Sequence, residues 1–214
     1  MALHRNDVIA AALDLLDEVG LERLTTRALT ERLGVAPGAL YWHVRSKQEL
    51  LTAMADTVVA PAFSAPVTGK GEGAEAEAEA EAETKPGSWA EHTEAFAHRL
   101  RRALLGRRDG ARLVSGHLVP GTATLRSLED GLALMSTQGL TPAQAAVLGH
   151  AVTSYVIGFV LQEQQEPAPT GEAAGPDPAH FPLLVQWQTE HPGPDATFAA
   201  GLTLLTTGLA SQLA

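Results

Sequence analysis

The sequence predicts an all-α protein, and three observations carry that reading. Its apolar residues recur at helical spacing along nearly every segment. Those segments open on Ser, Thr or Asp and several close on Gly, the usual punctuation of helices. Period-two alternation of β-branched and aromatic residues, the mark of strands, is missing apart from short ambiguous apolar runs. The 214 residues suffice for one large domain or for a small domain beside a larger one, and 45% hydrophobic content excludes wholesale disorder. Cysteine is absent, which excludes disulfides and thiolate metal sites and suits a cytoplasmic protein. Asp7, Asp14, Asp17 and Glu18 interrupt the N-terminal stretch, so it is not read as a signal peptide.

Each helix has its own signals. Asn6 or Asp7 is placed to cap a first helix through Val19, with Val8, Ala11, Ala12, Leu15 and Leu16 on one face and Gly20 at its end. Thr25 caps a short second helix over 26–33, closed by Gly34. A third fits residues 37–43, with Pro37 in its first turn. Ser46 caps a fourth, running through Leu50, Leu51 and Met54 towards Val59. Residues 61–86 form a boundary, an acidic low-complexity loop rich in Glu-Ala pairs, read as flexible and solvated. Ser88 then caps a helix over 89–105. A short helix or turn follows at 111–115, and another helix spans 122–137, stopping near Gly139. Thr141-Pro142 opens a helix to about residue 165. A Pro-, Gly- and Ala-rich loop covers 166–179, a short helix 181–188, and a final helix 195–213.

Two of these helices are unusual. Residues 143–161 carry no formal charge and are the nearest approach to a membrane span. Gln144, His150, Thr153 and Ser154 favour a helix buried in protein instead. The last helix is almost charge-free and rich in small residues. Such helices need cover on most sides, which an isologous subunit interface or an ordinary core supplies equally well.

The net charge of −10 argues at first against a nucleic-acid partner. However, residues 69–85 hold six glutamates and two lysines and so supply four of those ten charges. Association depends on the local field at the docking face, not on the total. At residues 41–43 the chain places Tyr41, Trp42 and His43 side by side, near Arg45 and Lys47. Successive helical residues point about 100° apart, so at least one of the three faces outward. Aromatics beside cations make a surface for a polyanion. The two short helices around Gly34 have helix-turn-helix spacing, in which the second helix enters the major groove.

The stretch LTTRALTERLGVAPGALYWHVRSKQELL, residues 24–51, closely resembles the DNA-binding domain of the TetR family of bacterial repressors, and within it the tetracycline repressor class. The likeness continues through the first helix, Ser88-Trp89, LL..RDGA at 104–111, Leu128-Glu129 and G.VL..Q at 158–164. It covers nearly the whole chain, with the acidic loop as an insertion.

The resemblance implies a helix-turn-helix domain over 1–46, a connecting helix over 47–60, the loop 61–86, and a ligand-binding and dimerisation domain over 87–214. It implies a homodimer joined through the helices near 141–165 and 195–213, a palindromic double-stranded DNA operator, and a small-molecule effector whose binding separates the two reading helices. It also implies residue roles. Arg27 matches a base-reading position and Thr26 a phosphate contact. Tyr41 and His43 match phosphate and groove-edge contacts, and Lys47 a backbone contact. Trp42 matches a backbone contact but is also a candidate for partial core packing.

Ala36, Pro37, Gly38 and Ala39 depart from the class, which has polar base readers there. Reading must then rest on apolar contact, such as Ala39 on a thymine methyl, and on Arg27. The resemblance also places at Val114 and Gln162 the histidine and glutamate that help hold magnesium-tetracycline, and at Phe63, Phe96 and Gly131 other polar pocket contacts. Valine cannot ligate a metal and a neutral Gln does so poorly. The expected effector is therefore hydrophobic or aromatic, with no metal or other cofactor. Candidate lining residues are Phe96, Leu100, Val114, His117, Leu118, His150, Ser154 and Gln162, each of which also fits an ordinary core role. His92, His98, His117 and His150 do not have the spacing of a metal site, although His117 is expected to approach His150 across helices. By analogy the regulated gene encodes an exporter. The alternative function is a small-molecule sequestering protein with a secondary or lost DNA role. No catalytic arrangement is evident, so an enzyme is not expected.

Overall fold

The computed structural model describes residues 3–64, 88–165, 176–190 and 192–213. Much of the acidic loop and of the 166–179 loop lies outside the described residues. Among the described residues ten helices follow one another: α1 (Arg5–Val19), α2 (Thr26–Leu33), α3 (Pro37–Leu40), α4 (Lys47–Ser64), α5 (Trp89–Leu105), α6 (Gly110–His117), α7 (Thr122–Thr137), α8 (Pro142–Glu163), α9 (Pro182–Glu190) and α10 (Pro194–Leu213). No strand occurs among the described residues.

Capping explains most of the boundaries. Thr25 Oγ1 accepts the Ala28 N–H at 3.1 Å, and Gly34 ends α2 in the left-handed region at φ 65°, where a Cβ would be strained. Ser88 and Glu91 form a reciprocal pair at the start of α5, as Thr141 and Gln144 do at α8. Three expectations need correction. First, α1 starts at Arg5, not after an Asn6 or Asp7 cap; the Asp7 carboxylate instead accepts the His4 N–H at 2.8 Å from inside the first turn. Second, α3 is only four residues long, and Tyr41 to His43 form a turn. Third, α4 passes the expected boundary at residue 61 and carries Pro61 within it. Burial of Ala62 and the ring contact of Phe63 with Phe96, centroids 5.0 Å apart, hold that last turn in place.

The N-terminal helices pack Val8, Ala12, Leu16, Leu29, Leu40 and Val44 into one core, which α4 continues through Met54, Val58 and Val59 into the rest of the molecule. α4 contacts α1, α5, α6 and α7, so it is the element shared by both ends. α8 is long and apolar enough to cross a membrane; here it packs on α5, α6, α7 and α10 through Leu148, Val152, Val156 and Val160. Its outer face, with Val147, His150 and Ser154, is exposed. On α10, Phe198 and Leu202 are buried while Ala199, Ala200, Leu204 and Gly208 are exposed. α9 buries none of its residues, and Phe181 beside it, Leu183, Leu184 and Trp187 are exposed.

A charged clamp joins α5, α8 and α10. The Arg101 guanidinium bonds Glu163 at 2.5 and 2.9 Å and Asp195 at 2.7 Å, and lies 4.8 Å from the Phe198 ring centre. Tyr155 stacks on the same Phe198. Glu163, followed by Asp195, holds Arg101 firmly protonated against the opposing effect of burial.

Candidate functional site

The aromatic triplet sits on a surface built by its neighbours. Leu40 and Val44, 1% and 2% exposed, anchor α3 and the following turn in the core. The turn closes by the His43 and Val44 N–H groups donating to the Leu40 carbonyl, at 3.0 and 3.1 Å. With those anchors inward, Tyr41 and Trp42 point out, at 52% and 90% exposure, and His43 is half-buried. Trp42 therefore takes no part in the core. Ala36, Pro37 and Gly38 are exposed and Ala39 is half-buried.

Ser46 Oγ accepts the Glu49 N–H at 3.0 Å, which starts α4 with Lys47 exposed in its first turn. On α2, Thr26 is half-buried and Arg27 fully presented, its side chain 89% exposed. Sequence reasoning missed a partner of Arg27: its Nε donates to Glu31 one turn on, at 2.9 Å. That carboxylate strengthens the protonated form of the guanidinium. The i, i+4 spacing was the available signal. Any acceptor that approaches Arg27 must therefore compete with Glu31 for the same fork of donors.

The interior candidates divide into two groups. Leu100 and Val114 are buried in the core, with Phe63, Phe96 and Leu118 half-buried against it, on α4, α5 and α6. His92 lies within reach of Gly131 on α7. Burial, and then the charge of Arg99, push the His92 imidazole below its ordinary range. The second group lies elsewhere. His150, Ser154 and Gln162 occupy exposed positions on α8, so one chain does not bring them together with Phe96. His117 has its Nδ1 3.1 Å from the Gln48 amide at the start of α4. His98 packs against Phe198. Among the described residues no three His, Asp or Glu side chains are grouped to hold a metal. Val114 has no donor atom and is buried among apolar residues, so the chain does not reproduce a histidine-based magnesium site at that position.

Contacts link the two ends. Arg107 pairs with Asp17 at 2.6 Å, the Leu21 N–H donates to Asp109 at 2.8 Å, and Arg112 pairs with Glu22 at 2.9 Å. Together with Gln48 and His117, these tie the N-terminal unit to α6 and the turn before it.

Comparison with known proteins follows the same division. The model of bacterial regulatory proteins of the tetR family matches residues 8–54, and that of the tetracyclin repressor-like C-terminal domain matches residues 81–213. The tetracycline repressor protein class A from transposon 1721 of Escherichia coli is 34% identical, over 98% of this chain and 92% of its own length. A possible TetR family transcriptional regulator from Streptomyces coelicolor A3(2) superposes with a TM-score of 0.77 at 32% identity, covering 97% of this chain and 98% of that one. TetR(class A) in complex with 5a,6-anhydrotetracycline and magnesium gives 0.67 at 32%, covering 98% and 99%. With its helix-turn-helix on α2 and α3 and a helical C-terminal domain matched along its length, this chain belongs to the TetR family of bacterial transcription regulators.

Proposed function

We propose that the chain is a ligand-responsive dimeric repressor that binds a palindromic operator and is released by a small hydrophobic or aromatic effector, and that it controls an exporter gene. The observation that carries this reading is the projection of Tyr41 and Trp42 from the buried anchors Leu40 and Val44, with Lys47 and Arg27 exposed as well. Exposed cations and a tyrosine hydroxyl supply donors to phosphate oxygens, and an exposed ring packs on the sugar backbone. In this reading residues 1–46 dock on DNA, α4 connects, and residues 87–214 bind the effector and the second subunit.

Arg27 reads a base edge bidentately and Thr26 contacts phosphate. Tyr41, Trp42, His43 and Lys47 fix register on the backbone. Residues 36–39 offer no polar side chain, so the operator differs from the tetracycline one. Gly38 supports close approach: a Cβ there would meet nothing within 4 Å, so no contact inside the chain requires glycine. The exposed charge-free faces of α8 and α10 pair with their copies to form the dimer. Phe63, Phe96, Leu100, Val114 and Leu118 supply the apolar effector wall. His117, held to Gln48, transmits its occupancy to α4. His150, Ser154 and Gln162 reach an effector only across the dimer.

The relative in complex with anhydrotetracycline carries magnesium. Val114 removes a ligand from the corresponding set, so this chain takes its effector without that metal. Calorimetry showing tetracycline binding dependent on Mg²⁺ would defeat this point. The reading as a whole is tested by a gel-shift titration against DNA flanking the gene, at two salt concentrations. A discrete dimer complex on a palindrome, resistant to competitor DNA, is expected. Weak, steeply salt-dependent binding without sequence preference would instead favour a sequestering protein.

A further inference from the structure

A cleft of about 850 Å³ lies between the end of α1 and the α5–α6 turn and shares no lining residue with the proposed DNA contacts or with the apolar cluster around Phe96. Arg23, Arg107, Arg108 and Arg112 stand in its wall, against Glu22 and Asp109. Two of the four cations are matched: Arg107 by Asp17 at 2.6 Å and Arg112 by Glu22 at 2.9 Å. The other two have no carboxylate partner among the described residues. Arg23 Nε donates to the Val19 carbonyl at 2.9 Å and Arg108 Nη1 to the Glu18 carbonyl at 3.2 Å. Each guanidinium has five N–H donors in a fixed fork, so most of this capacity is open to a ligand.

The backbone holds this arrangement deliberately. Asp109 is the only non-glycine residue with positive φ, 54°, among the described residues. Its carboxylate is turned away onto the Leu21 N–H at 2.8 Å. Gly20, at φ 79°, lets the turn approach: a Cβ there would lie 3.1 Å from Asp109 Oδ2 and 3.3 Å from Arg108 Nε. Backbone conformations of this kind persist where the surroundings over-determine them, and they cluster at functional sites.

We propose that this cleft binds a small dianion bearing oxyanion groups, a dicarboxylate or a phosphate, through Arg23 and Arg108. Arg23 belongs to the N-terminal unit and Arg108 to the turn that enters α6, so the ligand bridges them. A ligand that binds one arrangement of two units stabilises that arrangement. The dianion therefore biases any displacement of the N-terminal unit against α6 by which an effector releases DNA. This last step rests on the repressor reading; the binding itself does not.

The test uses the full chain without DNA. Succinate and inorganic phosphate are titrated separately at constant ionic strength, balanced with sodium chloride, and followed by calorimetry and thermal unfolding. A saturable signal and a rise in Tm are expected with one of the two, and which one identifies the oxyanion class. Arg23→Gln, on an exposed loop, and Arg108→Gln should each weaken the response tenfold or more. No saturable response beyond chloride, or an unchanged response in Arg23→Gln, would overturn the site. With operator DNA present, saturating dianion should shift the effector concentration needed for release at least several-fold. An unchanged requirement would overturn the coupling. Intact dianion binding in a chain that recognises no operator would leave the site standing and count against the repressor reading alone.

Discussion

Replacing Arg101 by methionine tests whether the clamp holds the C-terminal helices together. The Arg101 side chain is 11% exposed and Glu163 18%, so the substitution leaves a largely buried carboxylate without its cation. Removing one partner of a buried pair costs about 3–5 kcal/mol. Losing the cation over Phe198 adds about 0.5–2 kcal/mol, and a methionine sulfur against the same rings returns about 0.3–1.5 kcal/mol. Asp195 is 91% exposed and is simply rehydrated, so its share is about 0–1 kcal/mol. The net expectation is about 4–5 kcal/mol, a Tm lower by roughly 8–20 °C for a chain of this size. Urea and thermal unfolding at one fixed protomer concentration provide the assay, because dimerisation makes the midpoint concentration-dependent. Adding Glu163→Gln to Arg101→Met should recover about 1–2 kcal/mol, since the orphaned charge is gone. A single-variant loss below about 1 kcal/mol, or a double variant no more stable than the single, would refute the account of the clamp as a buried pair.

Other outcomes follow from the DNA face and the interior. Arg27→Ala should leave Tm unchanged, as the side chain is 89% exposed, yet weaken operator binding by roughly tenfold to a hundredfold per half-site in gel shifts. Gly38→Ala should raise stability by about 0.5–1 kcal/mol through helix propensity while lowering operator affinity, so that the two measurements move in opposite directions. Burial lowers the His92 pKa, so the folded state favours the neutral ring. Its contribution is present above the ordinary histidine value and is lost as pH falls towards the folded one. Thermal unfolding from pH 7.5 to 5.5 should therefore show a fall in Tm that His92→Asn reduces.

Local chemistry carried most of the helix map. The caps at Thr25, Ser88 and Thr141 and the glycine at position 34 act within a few residues, so their effect is visible in the sequence. Misreadings occurred where distant packing overrode a local signal. Pro61 reads as a helix end, but Ala62 in the core and Phe63 against Phe96 carry α4 past it. Tyr41 to His43 read as helix but form a turn, with Leu40 and Val44 as the buried anchors on either side.

The interior candidates show the same limit. His150, Ser154 and Gln162 share helical spacing with true core residues of α8, and only the packed neighbours decide which stripe is covered. The pairing of His117 with Gln48, 69 positions earlier, and of Arg101 with Glu163 and Asp195 has no sequence signature. By itself the sequence determined the all-α class, the helix order and that at least one of Tyr41, Trp42 and His43 faces outward, because propensity, capping and periodicity are short-range. Only the tertiary structure decided which charged groups meet, which face of α8 stays exposed and how the N-terminal unit is fastened to α6. Those depend on chain segments far apart in sequence being brought within a few ångströms, and on burial that no local pattern encodes.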